Sequence, residues 1–137
     1  MTDKEKGMAE FIFLYGSLMR GFEMHEGLDL PSRTDFLGEA KCKGTLYDLG
    51  GHPGMTLEGN GRVRGELYRV RNKSAIDIVD RHEGYYPESN RESTYVRRLE
   101  EMIDRDLKAW VYIYNGPTEG HDVIESGSWR DYLRHNG

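Results

Sequence analysis

The chain has 137 residues, 31% of them charged and 36% hydrophobic, a length that suits one domain with a core of its own. Nineteen basic against 24 acidic side chains leave a formal charge of −5, which argues against the concentrated positive field that nucleic acid or an anionic membrane surface requires. A single domain spanning 1–137, with its core at about 11–133 and with neither nucleic acid nor membrane as partner, is the expectation.

The first seven residues, Met1 to Gly7, are charged, and no apolar stretch of a secretory signal follows them. Cys42 is the one cysteine, so no internal disulfide can form. Both features point to a reducing cytoplasm. Residues 10–15 read as a strongly apolar strand, far shorter than the ~20 residues of a membrane helix, and Gly16-Ser17 breaks it. Residues 20–33 are polar and irregular, with room for a helical turn.

From 36 to 47 the pattern alternates, with Ala40, Cys42, Gly44 and Leu46 on one face and Glu39, Lys41, Lys43 and Thr45 on the other, which predicts one half-buried strand. Turn residues fill 50–54, a short strand is expected at 55–57, Gly59-Asn60-Gly61 reads as a hairpin tip, and Val63, Gly65 and Leu67 alternate again. The period becomes helical over 74–82, with Ser74 and Asp77 spaced as a capping box and Gly84 placed to end the helix. Two strands follow at 93–102 and 107–114, joined by a turn at Asp104-Arg105-Asp106. The second is apolar on both faces and is therefore expected to be covered on both sides. A short helix at 129–134 closes the chain. Strands joined by short turns imply an α+β fold whose mainly antiparallel sheet can curl into a barrel and remove its edges.

Three features carry candidate chemistry. Tyr15-Gly16-Ser17-Leu18 forms a glycine turn after a buried strand. It reads either as an ordinary strand end or as a cluster of N–H groups and a hydroxyl suited to a carboxylate or phosphate. Glu83 falls on the stripe of Ile76 and Val79, at i, i+3 and i+7. Turned inward at a helix C-terminus, its carboxyl would be raised by burial and by the helix dipole toward a range where it can take and return a proton. Fanned outward, it would pair with Arg81, and pattern alone leaves both open. The third feature is the excess of nine tyrosines. Tyr95, Tyr112 and Tyr114 lie on the late strands, where an inward hydroxyl needs a partner.

Other motifs fail. Gly59 to Gly65 lacks dinucleotide-loop spacing and opens a strand. The five histidines form no ligand set with Cys42, so no metal is expected. Cys42, on an inward face, reads as an inert core residue.

Phe13-Leu14-Tyr15-Gly16-Ser17-Leu18 together with Val79-Asp80-Arg81-His82-Glu83-Gly84-Tyr85 resemble the γ-glutamylcyclotransferase-like (AIG2-like) family, over about 11–133. Further matches are Gly65-Glu66-Leu67-Tyr68, Tyr95-Val96-Arg97, Ala109-Trp110-Val111-Tyr112 and Ser126-Gly127-Ser128-Trp129. The resemblance implies a small mixed, mainly antiparallel β-barrel with flanking helices. It also implies cofactor-free release of 5-oxoproline and a free amine from a small-molecule γ-glutamyl amide by a monomer or homodimer.

In that family pattern Glu83 matches the catalytic glutamate, base and then acid. Tyr15, Gly16, Ser17 and Leu18 match the substrate loop, whose N–H groups would hold the α-carboxylate or the developing oxyanion. Tyr112 and Tyr95 match positions that hydrogen-bond the glutamate or line the pocket. The loop reads Gly-Ser-Leu where glutathione-pathway members typically have Asn after the serine, and so looks closer to the branch containing γ-glutamylamine cyclotransferases. The alternative on the same fold is a non-catalytic module that binds a small carboxylate or a peptide end.

Overall fold

β7 (Lys108–Tyr114) organises the sheet, because three strands pair with it. One edge takes β6 (Tyr95–Glu101), antiparallel in continuous register from Tyr95↔Tyr114 to Glu101↔Lys108. The other edge is shared: β1 (Phe11–Leu14) pairs in parallel at Ile12↔Trp110, and β4 (Pro53–Thr56) pairs in parallel at Met55↔Ile113. From β1 the sheet continues antiparallel to β5 (Arg62–Val70) and β2 (Thr34–Lys43). From β4 it continues to β3 (Thr45–Asp48) and β8 (Asp122–Val123). The computed structural model describes residues 10–136. Met1 to Gly7, read above for a missing secretory signal, lies outside the described residues.

The result is a curled, mainly antiparallel half-barrel with helices around it, α1 (Glu23–Gly27), α2 (Leu30–Arg33), α3 (Ser74–Glu83) and α4 (Trp129–Asn136). The curl brings the edge of β2 to the β6–β7 turn, where Ile103 N–H donates to the Lys41 carbonyl at 2.8 Å. Phe13, Val63, Leu67, Met55 and Val111 fill the interior without measurable exposure. Each such side chain contributes about 1.5–3 kcal/mol on leaving water.

The alternating stretch expected at 36–47 is two strands. Their inward face is the one anticipated, with Ala40, Cys42, Gly44 and Leu46 buried. The break falls at Gly44, where a Cβ would lie 2.2 Å from the Thr56 carbonyl oxygen, so the chain turns there against β4. Residues 20–33 hold two short helices, α1 and α2.

The capping box on α3 is corrected. Lys73 is the N-cap, with no side-chain capping bond. Asn72 Oδ1 accepts the Ser74 N–H at 2.9 Å. The Ser74 hydroxyl instead accepts from Arg33 Nη1. Asn72 thus satisfies an orphan donor that the box would have covered. The other end is as expected: Gly84 adopts the left-handed conformation, and Tyr85 N–H reaches back to the Asp80 carbonyl at 2.9 Å, which makes Glu83 the last helical residue. Among the described residues no helix is long and apolar enough to cross a membrane.

Candidate functional site

The fork in the sheet creates the site. Where β1 leaves β7 and β4 replaces it, the Tyr15 hydroxyl fills the junction. It donates to the Tyr112 carbonyl at 2.6 Å and accepts the Met55 N–H at 3.1 Å. A side chain thus bonds backbone groups of both strands at the divergence. Tyr95 does the same for β4, donating to the Pro53 carbonyl at 2.6 Å.

Next to this junction lies a cavity of about 220 Å³. Tyr15, Gly16, Ser17, Leu18, Tyr95, Tyr112 and Glu83 all line it, together with His52, Pro53 and His82. Gly16 stands against Pro53, where an added Cβ would lie 2.6 Å from Pro53 Cγ. The turn after β1 is closed by Met19 N–H donating to the Gly16 carbonyl at 3.1 Å. The N–H groups of Ser17 and Leu18 have no protein acceptor among the described residues.

The turn is anchored beyond the cavity. The buried His25 ring places Nδ1 2.8 Å from the Leu18 carbonyl, and in a neutral imidazole this fixes Nδ1 as the donor. Buried Glu66 accepts the Arg20 N–H at 2.8 Å and the Tyr68 hydroxyl at 2.7 Å. Arg130 Nη2 closes on Glu66 Oε2 at 3.3 Å and on the Arg20 carbonyl at 2.7 Å.

Glu83 is half-buried as a residue and faces the cavity from the end of α3. No donor reaches its carboxylate among the described residues, and burial pushes the carboxyl up to about 7. Of the two readings left open for Glu83, the structure shows the inward one. Burial is also the leading cause that holds the Tyr15, Tyr95 and Tyr112 hydroxyls protonated, above the ordinary tyrosine value, with the Glu83 charge acting in the same direction.

The Tyr112 hydroxyl goes to Asp80 Oδ1 at 2.5 Å, not to Glu83. Arg97 Nε stands 2.9 Å from the same oxygen. The Arg97 guanidinium lies over the Trp110 ring, 4.3 Å from its centroid. Burial pushes the Asp80 carboxyl up, while Tyr112 and Arg97 pull against it.

Sequence reading did not single out Asp80, Arg97, His52 or His82 for this site. Asp80 carried a signal, since it sits on the buried stripe with Ile76 and Val79, where an acid needs a partner. Cys42 is buried and its thiol pushed up to about 11, as an inert core residue should be. No group of metal ligands occurs among the described residues.

Residues 12–131 match the family model described as gamma-glutamyl cyclotransferase, AIG2-like. The gamma-glutamylcyclotransferase family protein YtfP of Escherichia coli K12 is 32% identical over 123 residues, which is 88% of this chain and 96% of that protein. The solution structure of ytfP from E. coli superimposes with a TM-score of 0.60, covering 90% of this chain and 98% of that one. An AIG2-like protein from Mus musculus shares the fold, with a TM-score of 0.60 at 24% identity over 77% of this chain and 76% of that one.

Proposed function

The chain belongs to the gamma-glutamyl cyclotransferase, AIG2-like family, and from that premise we propose that it releases 5-oxoproline and a free amine from a small γ-glutamyl amide. The observation that carries the reading is a single cavity shared by an unpaired carboxyl raised to about 7 and a turn with free N–H groups.

The chemistry needs little machinery. The substrate's α-amine, in its neutral form, attacks its own γ-carbonyl, and the new C–N bond closes a five-membered ring. The proton shed by that nitrogen goes to Glu83, which passes it to the departing nitrogen as the old C–N bond breaks. A carboxyl poised near neutrality serves both directions. Because nucleophile and electrophile sit in one molecule, holding the γ-glutamyl group folded contributes on the order of 7–11 kcal/mol of the barrier. In this reading the Ser17 and Leu18 N–H groups take the α-carboxylate or the oxyanion. A cavity of about 220 Å³ suits a γ-glutamyl group, with the leaving amine toward the mouth.

The test is incubation with a panel of γ-glutamyl amides and chromatographic detection of 5-oxoproline. Stoichiometric release of 5-oxoproline and amine is the expected result. Saturable binding of 5-oxoproline or glutamate without turnover of any γ-glutamyl compound would instead identify a binding module.

A further inference from the structure

Tyr112 has one hydroxyl proton, and the structure shows where it goes. Asp80 Oδ1 lies 2.5 Å from the Tyr112 oxygen, and the Arg97 guanidinium, 2.9 Å away, favours the charged form of Asp80 against burial, which raises its carboxyl. An ionised carboxylate only accepts hydrogen bonds, so the phenol must be the donor. Asp80 is buried, as is Tyr112, and Arg97 is clamped over Trp110 and Tyr85. None of the three has room to rearrange at small cost. Tyr112 also lines the cavity next to Glu83.

With its proton committed to α3, the phenol oxygen has only lone pairs to offer a ligand. We propose that Asp80, fixed by Arg97, is a positioning residue that turns the Tyr112 proton away from the cavity and leaves the oxygen as acceptor for the α-amine of a γ-glutamyl group. The proposal rests on reading the cavity as a γ-glutamyl site. Tyr112 and Glu83 then accept from the same nitrogen, and Tyr112 keeps its lone pair aimed at the γ-carbonyl while Glu83 takes the proton. Nothing about Tyr112 as an isolated side chain makes it an acceptor, since a free hydroxyl rotates to suit. The buried ion pair supplies that asymmetry.

The experiment measures the preference of the full chain for L-glutamate over glutarate, which differ by the amine, using titration calorimetry. Wild type should favour glutamate by about tenfold, the scale of a hydrogen bond to a charged donor. Tyr112→Phe removes one of the two acceptors and should cut the preference several-fold, chiefly through lost glutamate affinity, leaving what Glu83 supplies. Asp80→Leu/Arg97→Met frees the phenol rotor without stranding a buried charge, a replacement that folds tolerate. It should cut the preference as well, because a phenol free to rotate is no longer held as an acceptor, and adding Tyr112→Phe to it should remove less than Tyr112→Phe removes from wild type.

A preference undiminished in either variant overturns the proposal, as does a loss of affinity equal for both ligands. Independent, additive losses in the combined variant also overturn it, since Asp80 would then not act through Tyr112. Should Asp80→Leu/Arg97→Met fail to fold, Asp80→Asn/Arg97→Gln keeps two polar partners and must retain the preference, because its amide oxygen still accepts the phenol. Amine-dependent binding without turnover would sink the enzymatic reading and leave this assignment standing. Binding of neither ligand by wild type would sink both.

Discussion

Asp80 and Glu83 stand one turn apart on α3, and among the described residues only Asp80 is given a cation. Arg97 and Tyr112 close on Asp80, whereas Glu83 meets no donor among those residues and is raised to about 7 by burial. Burial raises both carboxyls, yet Arg97 and Tyr112 pull Asp80 back while burial alone acts on Glu83, a pattern that marks a structural carboxylate beside one kept free for proton transfer.

The first prediction concerns activity against pH. A base must be ionised and the attacking amine neutral, so 5-oxoproline release should rise with pH in a first step near 7 from Glu83 and in a further step as the substrate's α-amine loses its proton. Glu83→Gln should lower kcat/KM by roughly 10²–10⁴-fold and remove the step near 7, leaving that of the substrate's amine. A first step left unchanged in residual Glu83→Gln activity would assign the proton transfer elsewhere.

The same group should also be visible in stability. Its folded value of about 7 lies above the ordinary 4.5. Between those values the native state holds a proton that the unfolded chain has released, so the Glu83 contribution falls as pH rises through this window. The loss is complete above 7. It amounts to at most about 3 kcal/mol, less what solvent at the cavity mouth returns. Glu83→Gln lacks the effect, so its melting temperature relative to wild type should climb between pH 4.5 and 8 and level off beyond. A constant difference across that range would show that the carboxyl is not raised.

Tyr15 lines the cavity, but its hydroxyl is spent on backbone. Tyr15→Phe takes one hydrogen bond from the Tyr112 carbonyl and one from the Met55 N–H inside the fork, which should cost about 0.5–1.5 kcal/mol for each bond. Chemical denaturation should show this destabilisation, and the KM for a γ-glutamyl amide should rise as the fork loosens. An unchanged melting temperature would mean that water replaces the hydroxyl.

The sequence carried the strands well because alternation survives folding: the Ala40, Cys42 and Leu46 face and the Val63 and Leu67 face are both buried where period two places them. It carried the end of α3 through Gly84, but the pattern left the direction of Glu83 open between the cavity and solvent. What it did not carry depends on contacts distant in the chain. β8 is two residues long and exists because Tyr47 and Asp48 pair with it. The break between β2 and β3 depends on the approach of Thr56 to Gly44. The Asp80, Arg97 and Tyr112 cluster joins three elements, and no local period encodes such a meeting.

The last prediction tests whether the turn after β1 is preorganised from behind. Glu66 lies outside the cavity, yet it holds the Arg20 N–H, the Tyr68 hydroxyl and Arg130. Glu66→Ala removes all three ties at a buried position, which should cost several kcal/mol, on the order of 3, because Tyr68 and the Arg20 amide lose their acceptor together. Glu66→Gln keeps an acceptor for Tyr68 and Arg20 and gives up only the charge facing Arg130, whose partner side chain is partly in solvent. Glu66→Gln should therefore cost much less than Glu66→Ala. If the turn binds the substrate's carboxylate, Glu66→Ala should raise KM well beyond its effect on kcat, since Glu83 is untouched, and Glu66→Gln should restore most of the lost affinity. Equal KM values for wild type and a folded Glu66→Ala protein would show that the turn needs no support from behind.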